Sequence, residues 1–493
     1  MIKVHTPQTS QLPSECVHNL IRLVRNDMKT LYSISLVSRS WSTTALKYLY
    51  QDPWSYFPFD DWGYSGHSQR IALLLSTLLS PLDAQDSLGN KSICPNRTRG
   101  AKPSEQKYLQ LLTTLDLYWI KKAFRLISTK DFGDTQGNLH LSKFREMGEK
   151  LFSYLTQYKP RQLERLTLLD CQGFNTFHSS LVSLQFLDIR QRTFDSSTAK
   201  RIQELCPNLV QLRITALLVD DVVTAELIKR MKKNTLHKLW IHGMLKSITL
   251  IVRTLIQCHP ETLEELSVNM NPGNIQEDVV DPCVNSGILE LSQLPNLRSL
   301  SLKGMYVNTE LVTDIAQQCT QLSRVCLSGP YVATGAAETM IVQMGERLLE
   351  LTLNIEERCL GRALILLNKH CPNLQKLDIA GMEFDCGQIT QLAASCSELT
   401  HVTLGHPVYA STKTYHGMIE TLITNCHKLV YLNLNRIYVG TEIIPSLLKH
   451  SNLRKLVLPI PLLRSPCFNR QIIQFNTVIL GEQGVFELYL TPI

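Results

Sequence analysis

One six-residue pattern recurs through two thirds of this 493-residue chain and constrains its fold more than any other feature. The pattern is L-x-x-L-x-L, in which leucine or another apolar residue occupies the second and third marked positions. Successive copies mostly start 24 to 27 residues apart, with longer steps after Leu263 and Leu399 that are typical of loop insertions. A period of this length predicts a stacked array of small units. The twelve copies start at Leu163, Leu184, Leu209, Leu236, Leu263, Leu297, Leu322, Leu348, Leu374, Leu399, Leu429 and Leu453.

Each copy predicts a short strand with one apolar face, because alternate residues of a strand point to opposite sides. The sequence between copies has helical periodicity, as at residues 220–231 and 310–318. A single strand and helix cannot bury their apolar faces alone, so neighbouring repeats must stack on one another.

A cysteine stands three residues before the leading leucine in five repeats, and a proline follows it in two of them. Proline ends the preceding helix. The thiols could be metal ligands or catalytic groups, but their periodic placement favours small buried core residues. Their spread along the chain, without a C-x-x-C pair, also favours reduced thiols over disulfides. These cysteines are Cys206, Cys319, Cys371, Cys396 and Cys426.

These features resemble the cysteine-containing class of leucine-rich repeats. The resemblance covers roughly residues 160 to 493 and implies an α/β horseshoe of parallel strands and helices that binds proteins. The sequence departs from the class at the turn after the strand, where asparagine or cysteine is usual. Only Cys171 fits that position here, whereas Met305, Met382 and Ile437 occupy it in other repeats.

The first 54 residues predict a small helical module. Val17, Leu20, Ile21 and Val24 have helical spacing after Ser14, which we expect to cap the helix. A second helix is predicted from the apolar residues between positions 34 and 49, with a turn near Asn26 and Asp27.

The order and spacing of residues in this module resemble the F-box, in the style of F-box proteins abundant in fungi. The matching residues include Leu12-Pro13, Asp27-Met28, Leu36-Val37-Ser38-Arg39 and Trp41. The resemblance implies binding to a Skp-type adaptor and, through it, to a cullin. The alternative is a helical cap without a partner. The residues carried over as adaptor-binding candidates, at the interface or in the core that supports it, are Leu12, Pro13, Leu20, Ile21, Leu31, Val37 and Trp41.

The predicted division of the chain is an F-box module over 1–54, a helical joining region over 55–160 and leucine-rich repeats over 161–493. In the joining region we predict helices at 71–79 and around 108–127. Residues 80–105 are rich in turn formers and predict a flexible loop.

Composition and motifs favour a binding protein over an enzyme. No G-x-x-x-x-G-K-[ST] phosphate loop, H-E-x-x-H zinc motif or G-x-S-x-G nucleophile turn occurs in the sequence. We therefore expect no catalytic residue, cofactor or metal. The net charge of +7 is not gathered in one stripe, so no nucleic-acid partner is expected. No segment approaches about 20 consecutive apolar residues, which predicts no membrane partner and a place in the cytoplasm or nucleus.

The F-box and the repeats together imply a subunit that recruits target proteins to a ubiquitin ligase for degradation. The alternative is a protein-binding scaffold without a ubiquitin role. If the repeats form a horseshoe, the outward strand positions form its binding face. Large side chains at such positions are natural anchors, which singles out Phe186, Arg213 and Trp240 as candidate contacts to the unknown protein substrate. Equally, insertions or the joining region could cover them.

Overall fold

The computed structural model describes the N-terminal helices, a short segment near residue 115, and most of the repeats. The described residues are 13–25, 27–56, 111–120, 163–169, 181–245, 247–270, 290–355, 360–407, 412–437, 440–459, 478–480 and 485–489. Leu12 and the predicted features at 71–79 and 80–105 lie outside them.

Contacts between residues divide the chain into two units. The first comprises residues Met1–Leu168 and Thr176–Leu184, and the second comprises Leu169–Asn175 and Gln185–Ile493. The three-part division predicted from the sequence remains a prediction.

Three helices open the first unit: α1 (Ser14–Leu23), α2 (Met28–Ser35) and α3 (Arg39–Gln51). A 3-10 turn (Pro53–Tyr56) follows. The single helix predicted between positions 34 and 49 is wrong, since α2 ends at Ser35 and Ser38 caps α3 through its hydroxyl. Side-chain acceptors such as Ser38 satisfy free amides at helix starts and so begin a new helix.

The start of α1 also differs from the prediction. Pro13, and not Ser14, is the N-cap residue, and no side-chain cap hydrogen bond is made there. Asp27 caps α2, where its carboxylate accepts a hydrogen bond from the Thr30 amide at 3.1 Å. The predicted turn between the first two helices is therefore confirmed.

The core of this helical module is small. It consists of Val17, Ile21, Leu31 and Ala45, against which Trp41 packs as a half-buried ring. In the part of the unit that the structure describes, the three short helices enclose this one apolar cluster, and some apolar side chains of the helices remain outside it.

Strand β1 (Thr114–Asp116) lies where the sequence predicted part of a helix. It pairs in parallel with β2 (Arg165–Leu169), the strand of the first predicted repeat. The segment reads L-T-T-L-D-L from Leu112, which is itself a copy of the repeat pattern. Because further apolar residues flank this copy on both sides, the sequence pattern of the segment favoured a helix. Leu112 and Leu115 are buried like the leucines of the other repeats.

The second unit consists of parallel strands alternating with helices, which confirms the predicted leucine-rich-repeat solenoid. The strands are β3 (Phe186–Phe194), β4 (Gln211–Val219), β5 (Lys238–Met244), β6 (Glu265–Met270), β7 (Ser299–Lys303), β8 (Arg324–Ser328), β9 (Glu350–Asn354), β10 (Lys376–Asp378), β11 (Glu383–Phe384), β12 (His401–Thr403), β13 (His406–Pro407), β14 (Tyr431–Asn433) and β15 (Lys455–Pro459). The helices are α4 (Ser196–Leu205), α5 (Asp221–Arg230), α6 (Thr249–Cys258), α7 (Thr309–Gln318), α8 (Thr334–Met344), α9 (Leu360–His370), α10 (Cys386–Ser395), α11 (Thr412–Asn425) and α12 (Ile444–Lys449). Short 3-10 turns cover Gly345–Arg347 and Thr441–Ile443.

Every predicted copy of the repeat contributes one strand, and within this unit strands of consecutive copies pair in parallel. The alternation of buried and part-exposed residues in β5 through β9 follows the pattern directly. The longer step after Leu399 includes α11, which has 14 residues where α10 has 10, so the extra sequence there is not only a loop. Strands β11 and β13 form a separate parallel pair.

The repeated cysteines are buried at the ends of the helices, which confirms them as core residues. Three of the thiols donate to carbonyl groups of the preceding repeat; Cys396 Sγ reaches the Cys371 carbonyl oxygen at 3.2 Å. Burial raises the pKa of Cys319 to about 11 and that of Cys396 to about 12. These thiols therefore stay protonated and act as weak hydrogen-bond donors between repeats.

The last strands depart from the repeat. Strand β17 (Val485–Tyr489) pairs antiparallel with β15 and with β16 (Val478–Leu480). The prediction of parallel repeats up to residue 493 is therefore wrong for this end. Pairing with β17 satisfies the backbone groups of β15 that a further repeat would otherwise have bonded.

Candidate partner-binding surfaces

Helix α1 has two apolar sides. Val17, Ile21 and Val24 face the module core, whereas Leu20 and Leu23 are 46% and 79% exposed. Cys16, which is also exposed, precedes Leu20 by four residues and Leu23 by seven, so the three share one face of the helix. Leu20 and Leu23 do not belong to the module core.

The end of α2 is similar. Tyr32, Leu36 and Val37 are 62%, 70% and 67% exposed. Large apolar side chains gathered in the open mark surfaces that bind a partner. We call Leu20, Leu23, Tyr32, Leu36 and Val37 the exposed apolar set.

The adaptor candidates from the sequence divide into two groups. Pro13, Leu20 and Val37 are exposed, whereas Ile21 and Leu31 are fully buried. Trp41 packs on the core with the second group. The sequence did not single out Leu23, Tyr32 and Leu36 as candidates. In α1, Leu20 and Leu23 form a second apolar stripe beside the stripe that faces the core, and this second stripe could have identified Leu23.

The outward face of the repeat strands carries three rows of side chains, each aligned across neighbouring strands by the register. The first row is Gln211, Lys238, Glu265, Ser299, Arg324, Glu350, Lys376, His401, Tyr431 and Lys455. The second row is Asp188, Arg213, Trp240, Ser267, Ser301, Cys326, Thr352, Asp378, Thr403, Asn433 and Val457. The third row is Arg190, Thr215, His242, Asn269, Lys303, Ser328 and Asn354.

Two of the three predicted substrate contacts meet on this face. The Arg213 guanidinium lies over the Trp240 ring, 4.8 Å from its centroid. The indole Nε1 donates to Glu265 Oε1 at 2.8 Å. Trp240 is half-buried and held in one orientation by these partners, which suits a preorganised contact.

Phe186 does not face solvent as the sequence predicted. It is only 8% exposed and packs edge-on against Trp240, with 6.2 Å between the ring centroids. The alternation expected for a strand fails in β3, where Phe186 and Asp188 are both buried. Phe186 therefore supports Trp240 from the side.

Asp188 is a buried carboxylate between two arginines. Its Oδ2 accepts from Arg190 at 2.9 Å and lies 3.8 Å from Arg213 Nη1. Among the described residues, its Oδ1 has no hydrogen-bond partner, and neither has the buried Nε of Arg213. Asp188 is thus shared between Arg190 and Arg213.

His242, in the third row, lies within this group of charges. Burial lowers its pKa, and the nearby cations Arg213 and Lys303 lower the pKa further. The ring is therefore neutral near pH 7 and reports a positive potential around it.

Within the described residues, no group of three or more His, Cys, Asp or Glu side chains is arranged to hold a metal ion. No described helix has the length and apolar character needed to cross a membrane.

The sequence matches no protein-family model and no curated protein. Among solved structures, a chain from the crystal structure of the Rad7 and Elc1 complex in yeast is similar to this one at 18% identity, with a TM-score of 0.46. The match covers 69% of this chain and 87% of that chain. The leucine-rich-repeat assignment rests on the strand register of this chain and not on that resemblance.

Proposed function

We propose that this chain is the substrate-recruiting subunit of a ubiquitin ligase of the Skp adaptor, cullin and F-box type. Helices α1–α3 bind the adaptor, and the outward face of the repeat strands binds the target protein. The chain contributes proximity and orientation, while other subunits carry out ubiquitin transfer.

The observation that carries the proposal is the exposed apolar set. Its members occupy a module whose sequence resembles the F-box, and two of them, Leu20 and Val37, are positions that the resemblance assigns to adaptor binding. A module whose core is limited to a few side chains gains apolar burial by docking on a partner.

Co-purification of the full chain with a Skp-type adaptor tests the proposal. The double variant Leu23→Asp, Val37→Asp places charge on two of the most exposed apolar positions, so the module core remains intact. We expect adaptor affinity to fall at least about 10-fold, because an apolar anchor at an interface contributes roughly 1.4 kcal/mol or more.

A matched control is Ile365→Asp in α9, where the side chain is 53% exposed in the repeat unit. It should leave adaptor binding unchanged. Equal binding by the double variant and the wild type would contradict the assigned surface. Failure of the wild type to bind any Skp-type adaptor would instead favour the scaffold without a ubiquitin role.

A further inference from the structure

Strands β7 and β8 are neighbours in the sheet, and neither carries a carboxylate. Three cations lie on these strands or immediately before them, at Arg298, Lys303 and Arg324. Within the described residues, none of the three forms an ion pair. The other outward positions are small and polar: Ser299, Ser301, Cys326 and Ser328.

The strands on either side carry carboxylates that already pair with lysines. On β6, Glu265 lies 3.2 Å from the ammonium group of Lys238. On β9, Glu350 lies opposite Arg324 in the register, yet it pairs with Lys376 on β10 at 3.0 Å. The cation of β8 is therefore left without this neighbour as a partner.

Two further carboxylates lie beside the two strands. Glu264 immediately precedes β6 and lies 3.5 Å from the Nδ1 atom of His237. Asp378 is on β10, two strands from β8, and its Oδ1 accepts from the Ala380 amide at 3.0 Å. Strands β7 and β8 thus form a positive strip with carboxylates on both sides.

The charge of Lys303 reaches the second row of the face. Burial raises the pKa of the Cys326 thiol, and the positive charge of Lys303 opposes that increase. Cys326 and its neighbour Ser301 stand in the second row, between the row of Arg324 and the row of Lys303. The two cations therefore flank a floor of small polar side chains.

We propose that β7 and β8 bind an extended acidic segment of the target protein, with one carboxylate on Arg324 and a second on Lys303. Arg298 adds positive charge at the Arg324 end of the site. The inference names the chemistry of the target and rests on the proposed function only for the fate of the bound protein.

The register sets the spacing of the two acidic residues. The first and third rows are four residues apart along a strand, or roughly 13 Å at about 3.3 Å per residue. An extended peptide has the same rise, so acidic side chains at positions i and i+4 match Arg324 and Lys303. Residue i+2 points to the same side and meets Ser301 and Cys326, where a small side chain fits. The Ser299 and Ser328 hydroxyls can bond to the peptide backbone.

The width of the positive strip favours a peptide over a nucleic acid. Glu265 and Glu350 lie one strand away on either side, and neighbouring strands are about 4.8 Å apart. A nucleic acid carries negative charge at every phosphate and would approach these carboxylates. A single extended peptide can lie along the strip and place its two acidic side chains on the cations.

Fluorescence anisotropy with the full chain tests the proposal. The probe is a labelled peptide of about nine residues with two glutamates at positions i and i+4 and serine or alanine elsewhere. One comparison peptide has the glutamates at i and i+3, which point to opposite sides of an extended chain. The other has lysine in place of both glutamates. We expect the i, i+4 acidic peptide to bind tightest, and its affinity to fall when salt is raised from about 50 to 300 mM.

The double variant Lys303→Gln, Arg324→Gln removes both cations and breaks no ion pair among the described residues. We expect at least about 10-fold weaker binding of the acidic peptide, because two charge-assisted contacts are lost. The matched control is Lys200→Gln on the exposed surface of α4, where no described ion pair is lost either. It should weaken binding less than about 2-fold.

A charge exchange separates loss of the site from loss of the fold. The double variant Lys303→Glu, Arg324→Glu should reject the acidic peptide and bind the lysine peptide instead, which an unfolded chain would not do. Failure of this variant to prefer the lysine peptide would overturn the assignment of these two residues.

Three other results would overturn the proposal: no preference of the wild type for glutamate over lysine, equal affinity for the two glutamate spacings, or tighter binding of a single-stranded oligonucleotide of equal charge. Any of them, with adaptor co-purification intact, would leave the ligase proposal standing. Peptide binding without adaptor binding would retain the peptide site and remove the ligase role.

Discussion

The N-terminal helices and the repeat strands differ in how far their apolar side chains are exposed to solvent. In the helices, Leu23, Leu36 and Val37 remain mostly in solvent. In the repeat strands, leucines such as Leu266 and Leu351 are buried, and the outward face is mainly polar or charged, with Trp240 as its large apolar exception. The first region exposes apolar area, and the second exposes mainly charged and hydrogen-bonding groups.

The difference follows from how each region completes its core. A repeat has neighbours on both sides and places most of its apolar stripe between them. The helical module has three short helices and one small cluster. Among the described residues, Leu23, Leu36 and Val37 lie outside that cluster, and exposed apolar surface of this kind is typical of a docking site.

The prediction with the largest expected effect compares substitutions at two residues of α1. Ile21→Ala should lower the free energy of unfolding of the module by about 2–5 kcal/mol, because the side chain is fully buried in its core. Leu23→Ala should change it by less than about 0.5 kcal/mol, because the side chain is exposed. Chemical denaturation followed by circular dichroism measures both. Similar losses for the two variants would mean that Leu23 contributes to the core.

Cysteine gives a second contrast between the regions. Cys396→Ala should destabilise the repeat unit by about 1–3 kcal/mol, because it leaves a small cavity and removes the thiol donor to the Cys371 carbonyl, which then keeps only the Leu374 amide. The same substitution at exposed Cys16 should have an effect below about 0.5 kcal/mol.

Thiol labelling of the native chain extends this contrast. A maleimide should modify Cys16 quickly and Cys396 only on unfolding, since burial raises the pKa of Cys396 to about 12. Bound adaptor should slow labelling at Cys16, because Cys16 shares a helix face with Leu20 and Leu23. Rapid labelling of Cys396 in the folded chain would contradict its position in the core.

The smallest expected effect is a loss of stability of the repeat unit in mild acid. His259 is fully buried, and burial lowers its pKa. Its Nδ1 accepts from the Leu236 amide at 3.4 Å, and its Nε2 faces the Ile228 carbonyl oxygen at 3.4 Å, which assigns a neutral ring protonated on Nε2. Burial also lowers the pKa of His450.

Because these folded-state pKa values lie below the ordinary value of about 6.5, the unfolded chain takes up protons that the folded chain does not. Stability should therefore be fully present above about pH 6.5 and decrease as the pH falls below it. Urea denaturation at a series of pH values measures the slope. A His259→Gln variant should show a flatter slope, and an unchanged slope would exclude His259 as a source.

The sequence predicted the repeat register well because the pattern is local and periodic. The second row of the strand face was read directly from the copies, and the strand pairing aligns Arg213, Trp240 and Ser267 as expected. It missed the copy that begins at Leu112, where neighbouring apolar residues favoured a helix. The same pattern, applied there, would have found β1.

The candidate sites were harder to predict, because exposure depends on what packs around a residue. Helical spacing placed Leu20 and Ile21 together as candidates, yet Leu20 is exposed and Ile21 is buried. Strand alternation placed Phe186 outward, and a neighbouring ring covers it instead.

The amino-acid sequence by itself determined that this chain forms a repeat solenoid after a small helical module. The apolar periodicity determines which segments form strands and which form helices. These elements bury their apolar faces by stacking on the neighbouring repeats. The tertiary structure decided which side chains remain available to partners. Charge pairing and burial depend on residues from different strands, as where Asp188 engages both Arg190 and Arg213 while Lys303 keeps its charge free of any described carboxylate.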